Sequence, residues 1–228
     1  MENPGKLYLA DQRGLIENSS LKRHCTFNFE RFFNEHKAAF KNLFICNDDF
    51  IAPGKLNFYL AKENSLHLFI PIAGSINMVA KNKEFFVETK QVQLLSLEKG
   101  EVLEISNSHK DEVVNYLHLA MVNDDFIFFK DQLFSFDLEN NKNKMVDVIA
   151  NYRYPFKLST GLFKKGEEVV YKLHERTNSL FSFTVSGSFQ IEGRMTNARD
   201  GIALWDTESI NIKALDNDAF ILTIELFA

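Results

Sequence analysis

The 228-residue sequence predicts an all-β protein made of two tandem β-barrels with one short helix near the N-terminus. Three observations lead there: apolar and polar residues alternate with period two along most of the chain, strand-like runs close on Gly, Asn or Asp turns, and the two halves echo each other. SINIKAL sets Ile210, Ile212 and Ala214 on one face, and AFILTIEL aligns Phe220, Leu222, Ile224 and Leu226. LHLFIPI and LFSFTVSG are apolar or aromatic runs that end at a glycine turn. ERFFNEHKAAFKNLF breaks the pattern. It places Phe33, Phe40 and Phe44 near helical spacing after Asn28, a possible cap, and predicts a short helix over about 30–40.

The echo pairs NSLHLFIPIAGSINM (64–78) with NSLFSFTVSGSFQIE (178–192), offset by half the chain. Each copy runs on into a glycine-turned hairpin, VQLLSLEKGEVLEI and DGIALWDTESINIKA. A repeat of this length points to duplication of a domain, because solenoid units recur every ~20–50 residues. DLENNKNK (137–144) is polar and poor in strand formers, so it reads as the linker between an N-terminal barrel over 1–136 and a C-terminal one over 137–228.

Composition narrows the function classes. Apolar residues at 45% and charged residues at 25% suit a globular protein, and 23 Phe supply large apolar area for its cores. A net charge of −5 without a basic block argues against direct binding to nucleic acid. No apolar run approaches the ~20 residues of a membrane span, and MENPGKLYLADQRG has neither the basic start nor the apolar stretch of a signal peptide. Cys25 and Cys46 fit neither a disulfide framework nor a CxxC site and are expected as reduced, buried thiols of a cytoplasmic protein. There is no phosphate-cradling glycine loop and no GxSxG elbow.

ARDGIALWDTESINIKA resembles the closing hairpin of bacterial pirin-like proteins, in which a DGLA(I/L)W-type turn precedes an alternating strand. ADQRG, RHCTFNFERFFNEH and NLFICNDDFIAPG follow the same family's order: an early Arg-His, a Phe-rich stretch and an Asn-Asp-Asp turn. The resemblance spans nearly the whole chain and implies a bicupin, two jelly-roll-like cupin barrels. It also implies iron or another divalent metal in the N-terminal barrel, held by an HPH pair and a later His with Glu two residues on, and oxygenation of a flavonol by a quercetin 2,3-dioxygenase-like activity. Aligned on Gly74, the HPH histidines fall on Leu60 and Lys62; aligned on Gln93, the later His and Glu fall on Leu103 and Ile105. In the second half His174, Arg176 and Leu180 occupy the general cupin ligand positions, and a guanidinium there repels a cation.

The expectation is therefore a pirin-like bicupin without the usual ligand set, with no cofactor and no catalytic residue, that binds a small molecule or a protein partner as a regulator. The positions Leu60, Lys62, Leu103 and Ile105 would line its ligand pocket. Two other readings stand beside it. A metal-dependent oxygenase would use relocated ligands such as His67, His118 and Glu101 or Glu104, and a metal-independent enzyme would use Lys62 or a tyrosine such as Tyr59 or Tyr171. Of the remaining histidines, His24 is expected to be structural and His174 a strand-end residue with a surface partner. Trp205 is expected to anchor the C-terminal core or the face between the barrels.

Overall fold

The computed structural model describes residues 3–123 and 129–228. Among them, strand follows strand with only three-residue 3-10 turns at Ala10–Gln12, Glu35–Lys37 and Glu139–Asn141. The chain divides into two compact units, Arg13–Ser135 and Met1–Gln12 joined with Phe136–Ala228.

In the first unit a seven-stranded antiparallel sheet runs in the order Gln132–Ser135, Gln91–Leu97, Ser65–Ala73, Val114–Val122, Leu43–Ile51, Leu21–Cys25 and Gly14–Glu17. A four-stranded sheet, ordered Leu56–Leu60, Val102–Ser106, Ile76–Ala80 and Lys83–Val87, belongs to the same unit. Between them lies an apolar core that includes Ile45, Ile51, Phe69, Met78, Leu95, Leu103, Ile105 and Tyr116. Full burial of side chains of this size contributes about 1.5–3 kcal/mol each, which is what holds the barrel shut. The tight turn after Ser65–Ala73 needs Gly74. Its φ is +75°, and a Cβ there would lie 2.8 Å from Val114 Cγ2.

The second unit repeats the plan. Its six-stranded sheet runs Gly5–Tyr8, Gly201–Leu204, Ser179–Ser186, Ala219–Leu226, Phe156–Phe163 and Met145–Ile149, and its four-stranded sheet runs Glu168–Lys172, Ser209–Ala214, Phe189–Ile191 and Arg194–Thr196. A core of Phe163, Tyr171, Phe189, Ile191, Ile210, Ile212 and Ile221 fills it.

Three sequence expectations need correction. The helix over 30–40 is a single 3-10 turn, Glu35–Lys37, capped by Asn34, whose side chain accepts from the His36 N–H; Asn28 instead accepts from the Asn34 N–H. Phe33 is exposed and Phe40 is tied into a two-residue bridge with Leu43, so the aromatic spacing never becomes one helix face. The first twelve residues, assigned to the N-terminal barrel from sequence, belong to the C-terminal unit, because Gly5–Tyr8 pairs antiparallel with Gly201–Leu204. That pairing spans nearly the whole chain and leaves no local signal. The Asn-Asp-Asp stretch is the middle of the nine-residue strand Leu43–Ile51 rather than a turn. Trp205 is half-buried, and its backbone N–H reaches the Pro4 carbonyl.

Candidate functional site

Period-two geometry decides what faces the inside of the N-terminal barrel. Along Leu43–Ile51 the inward side chains are Ile45, Asn47, Asp49 and Ile51, and along Val114–Val122 they are Val114, Tyr116, His118 and Ala120. The register sets Arg23 beside Asp49 and Asp49 beside Tyr116, and one row on it sets Cys25 beside Asn47 and Asn47 beside His118. Polar residues thus cross the interior in two adjacent rows.

The first row is fully satisfied. Arg23 donates to both Asp49 oxygens, at 2.8 and 2.6 Å, and the Tyr116 hydroxyl donates to Asp49 at 2.9 Å. Burial alone would lower the Arg23 pKa, but Asp49 more than offsets this and raises it. On the opposite face of the same strand Asp48 takes bonds from Arg13 at 3.1 Å and from Asn115 at 2.7 Å. The NDD triplet therefore feeds two separate networks, one on each side of the sheet.

The second row adjoins a histidine pair. His67 Nδ1 and His118 Nε2 lie 2.8 Å apart, and His67 Nε2 lies 2.8 Å from Ser65 Oγ. The Tyr59 ring covers both imidazoles at centroid distances of 5.1 and 5.2 Å, and Phe69 stacks on His118 at 4.5 Å. Burial pushes His67 down to about 3 and holds His118 well below the ordinary histidine range, with His67 and Arg23 adding to the shift of His118. Both rings are neutral at pH 7. Asn47 has neither its amide nitrogen nor its oxygen bonded, and His118 Nδ1 has no partner either.

Above this layer a pocket of about 180 Å³ opens between Asn28, Phe29, Glu30, Phe44, Tyr59, Leu60, Lys62 and Glu63. Phe29 stacks on Tyr59 at 6.4 Å and lies over the Arg23 guanidinium at 4.8 Å. Tyr59 is the floor of the pocket and the lid of the histidine pair.

The four positions singled out by sequence separate. Leu60 and Lys62 line the pocket rim, and Leu60, 53% exposed, shares an apolar outer surface with Leu56, Phe58 and Val102. Leu103 and Ile105 are fully buried in the barrel core. On the Leu56–Leu60 strand Tyr59 turns inward and Ala61 follows it into the core, so the inward positions are one residue away from the aligned ones. Of the relocated-ligand candidates, His67 and His118 do meet. Glu101 instead pairs with Lys81 at 3.6 Å, and Glu104 is on the outer face of its strand. His24 is half-buried edge-on to Phe50, Cys25 is buried with its thiol pushed up to about 12, and the His174 ring lies tilted against Tyr152 at 4.4 Å. Sequence reasoning took the Arg-His and Asn-Asp-Asp residues only as marks of a resemblance and did not place Asn47 or the Arg23–Asp49–Tyr116 row in a site. The available signal was ICNDDFI itself, whose alternate residues Ile45, Asn47, Asp49 and Ile51 form one face bounded by isoleucines.

Residues 154–226 match the family of the quercetinase C-terminal cupin domain. The fold is similar to that of YhhW from Escherichia coli, with a TM-score of 0.85, 19% identity and coverage of 98% of this chain and 97% of that one. A second structure of that protein, described as a bacterial pirin in complex with nickel(II), also gives a TM-score of 0.85 at 19% identity, covering 98% of this chain and 99% of that one. A quercetin 2,3-dioxygenase from Acinetobacter baumannii gives 0.73 at 12% identity, covering 97% of this chain and 85% of that one. No curated protein matches the chain. Among the described residues no helix is long and apolar enough to cross a membrane. The side chains at the aligned positions do not suit a divalent ion: Leu60, Leu103 and Ile105 carry no donor atom, and Lys62 brings a positive charge. Among the described residues no three His, Cys, Asp or Glu side chains converge on one point.

Proposed function

We propose that this chain, a pirin-like cupin protein, acts as a non-catalytic binder of a small organic molecule at the mouth of its N-terminal barrel, without a resident metal. The observation that carries this reading is the lining of the mouth. Phe29, Phe44 and Tyr59 supply apolar and aromatic walls, with Lys62, Glu30 and Glu63 at the rim. A concave, mostly apolar pocket with a few convergent polar groups is the usual form of a small-molecule site. Lys62 would favour a ligand with an acidic or electron-rich edge over the Tyr59 face, and binding there would serve a regulatory role.

One observation favours a second reading, a metal-dependent, quercetin 2,3-dioxygenase-like oxygenase with relocated ligands. The 2.8 Å between His67 Nδ1 and His118 Nε2 is close to the roughly 3 Å between two imidazoles on one ion with bonds of about 2.0–2.1 Å. Electrostatics weighs against it. Both rings are fully buried, the nearby buried charges, Arg23 and Asp49, already neutralise each other, Glu30 on Arg23 is half exposed, and a dication without a buried carboxylate of its own would lose most of its solvation.

Elemental analysis of untagged protein purified without chelators, before and after Fe²⁺, Ni²⁺, Cu²⁺ or Zn²⁺ is added and dialysed away, separates the two. Less than a tenth of an equivalent of every metal is the result expected. A stoichiometric metal lost on His118→Phe substitution overturns the proposal in favour of the second reading. A thermal-shift screen of small aromatic acids and phenols, repeated on Lys62→Ala, then tests the pocket. Hits that weaken on substitution support it, and no hit in either protein removes the binding role.

A further inference from the structure

We infer that the interior of the N-terminal barrel holds a neutral hydroxyl group, from a water molecule or from a small alcohol-bearing ligand, between Asn47 and His118. This site lies beneath Tyr59 and does not depend on the mouth pocket. The hydrogen-bond chain assigns the protons. The Ser65 hydroxyl donates to the Glu63 carbonyl at 2.9 Å, so its oxygen accepts from His67 Nε2–H at 2.8 Å. His67 is neutral, which leaves its Nδ1 bare to accept from His118 Nε2–H at 2.8 Å. His118 is neutral too, and its remaining nitrogen, Nδ1, is an unprotonated acceptor with nothing to accept from.

Asn47 stands directly opposite His118 in the strand register, on the same inward face. Side chains so placed have Cβ atoms about 4.5–5.5 Å apart, close enough for one oxygen atom to reach both. Asn47 and His118 are 1% and 0% exposed, and between them they offer two acceptors, Asn47 Oδ1 and His118 Nδ1, and one donor group, Asn47 Nδ2. Leaving such groups unmet costs about 1–3 kcal/mol each, whereas a buried water typically makes about 2–4 hydrogen bonds. A hydroxyl group matches the need: it donates to one acceptor and accepts from the amide, and a water donates to both.

Charge chooses the class. Arg23 in the adjacent row is already bound through both Asp49 oxygens, and Cys25, across from Asn47, is a thiol rather than a thiolate at neutral pH. Glu30 also reaches Arg23, at 3.7 Å, but is half exposed to solvent, so neither a cation nor an anion would find a buried uncompensated counter-charge, and a neutral group fits where a charged one does not.

The test starts with the histidine nitrogens. In protein with ¹⁵N-labelled imidazoles, His118 Nδ1 is expected to show the shift of a hydrogen-bonded acceptor. A cross-relaxation signal from water to the Asn47 amide identifies water as the source. Displacement of that signal by millimolar ethanol, with a rise in melting temperature, identifies a site open to alcohols. A bare-lone-pair shift for Nδ1, with no water contact and no response to ethanol, overturns the inference. Asn47→Leu gives an independent reading: a melting temperature lowered by several degrees is expected if the amide is bonded, and a raised one overturns it by showing that the amide was a buried liability.

Discussion

The two barrels share a plan and differ in how they use buried polar atoms. In the C-terminal barrel the fully buried Glu225 carboxylate takes bonds from the Tyr171 hydroxyl at 3.2 Å, the His174 N–H at 2.7 Å and Asn178 at 2.7 Å. Ser182 pairs with Thr223, and Thr184 with Thr196. Each group is partnered by its neighbours, as expected of a polar interior built for stability. The N-terminal barrel has an equally closed row, Arg23–Asp49–Tyr116, and beside it a row in which Asn47 and His118 have bonding capacity that no other residue meets. The contrast separates polar residues that lock a fold from polar residues kept in reserve, and it assigns the second kind to the barrel whose mouth carries the aromatic pocket.

The largest effect that would sharpen this contrast comes from Asp49→Ala. It strands the buried Arg23 guanidinium and is expected to cost about 3–5 kcal/mol, read as an early transition of the N-terminal barrel in urea. A loss under about 1 kcal/mol would show that Arg23 relaxes to solvent, and the closed row would not be a lock.

Acid should act on the same barrel. His67 is held near 3 and His118 is lowered by burial, whereas in the unfolded chain each titrates near its ordinary value of about 6.5. Between these limits the unfolded state binds more protons. Stability contributed by the neutral rings is therefore complete above about pH 6.5 and falls with pH, by about 1.4 kcal/mol per pH unit for each histidine. His24, lowered by burial and by Arg13, adds with the same sign. Denaturation midpoints measured from pH 7 to pH 5 should fall. A flat profile would break the assignment of a neutral pair.

In the C-terminal barrel Glu225→Gln keeps the volume but replaces one acceptor oxygen with a donor, facing three donors. It should cost about 1–3 kcal/mol, confined to that barrel's transition. Loss in both transitions together would mean that the barrels unfold as one. Smallest is Lys62→Ala at the pocket rim. Stability should move by no more than about 0.5 kcal/mol, while the affinity of any pocket ligand falls. A large loss of stability there would make Lys62 a structural residue.

Much of this molecule was legible in its sequence, for reasons that differ by element. SINIKAL and the echo between NSLHLF and NSLFSF announced strands and duplication, because alternation and repetition are local properties of a chain. Local alternation also misled. In AFILTIEL the apolar set Phe220, Leu222, Ile224 and Leu226 is on one face as expected, yet the barrel interior takes the other, with Ile221, Thr223 and Glu225. A strand buried on nearly all its residues carries no polarity signal that separates inside from outside. On the Leu56–Leu60 strand the same ambiguity placed Leu60 and Lys62 where Tyr59 and Ala61 turn inward.

By itself the sequence determined an all-β, twice-built chain with a resemblance to pirin-like proteins, and it determined that the aligned positions hold leucine, lysine, leucine and isoleucine, since residue identity needs no geometry. Only the tertiary structure decided which rows meet. It brought His67 to His118 across 51 residues of chain, set Asn47 directly across from His118 in the strand register, and carried the first strand over to the C-terminal barrel. Those outcomes depend on strand register and sheet order, which arise from long-range pairing. A one-residue slip in that pairing exchanges the two faces of a strand.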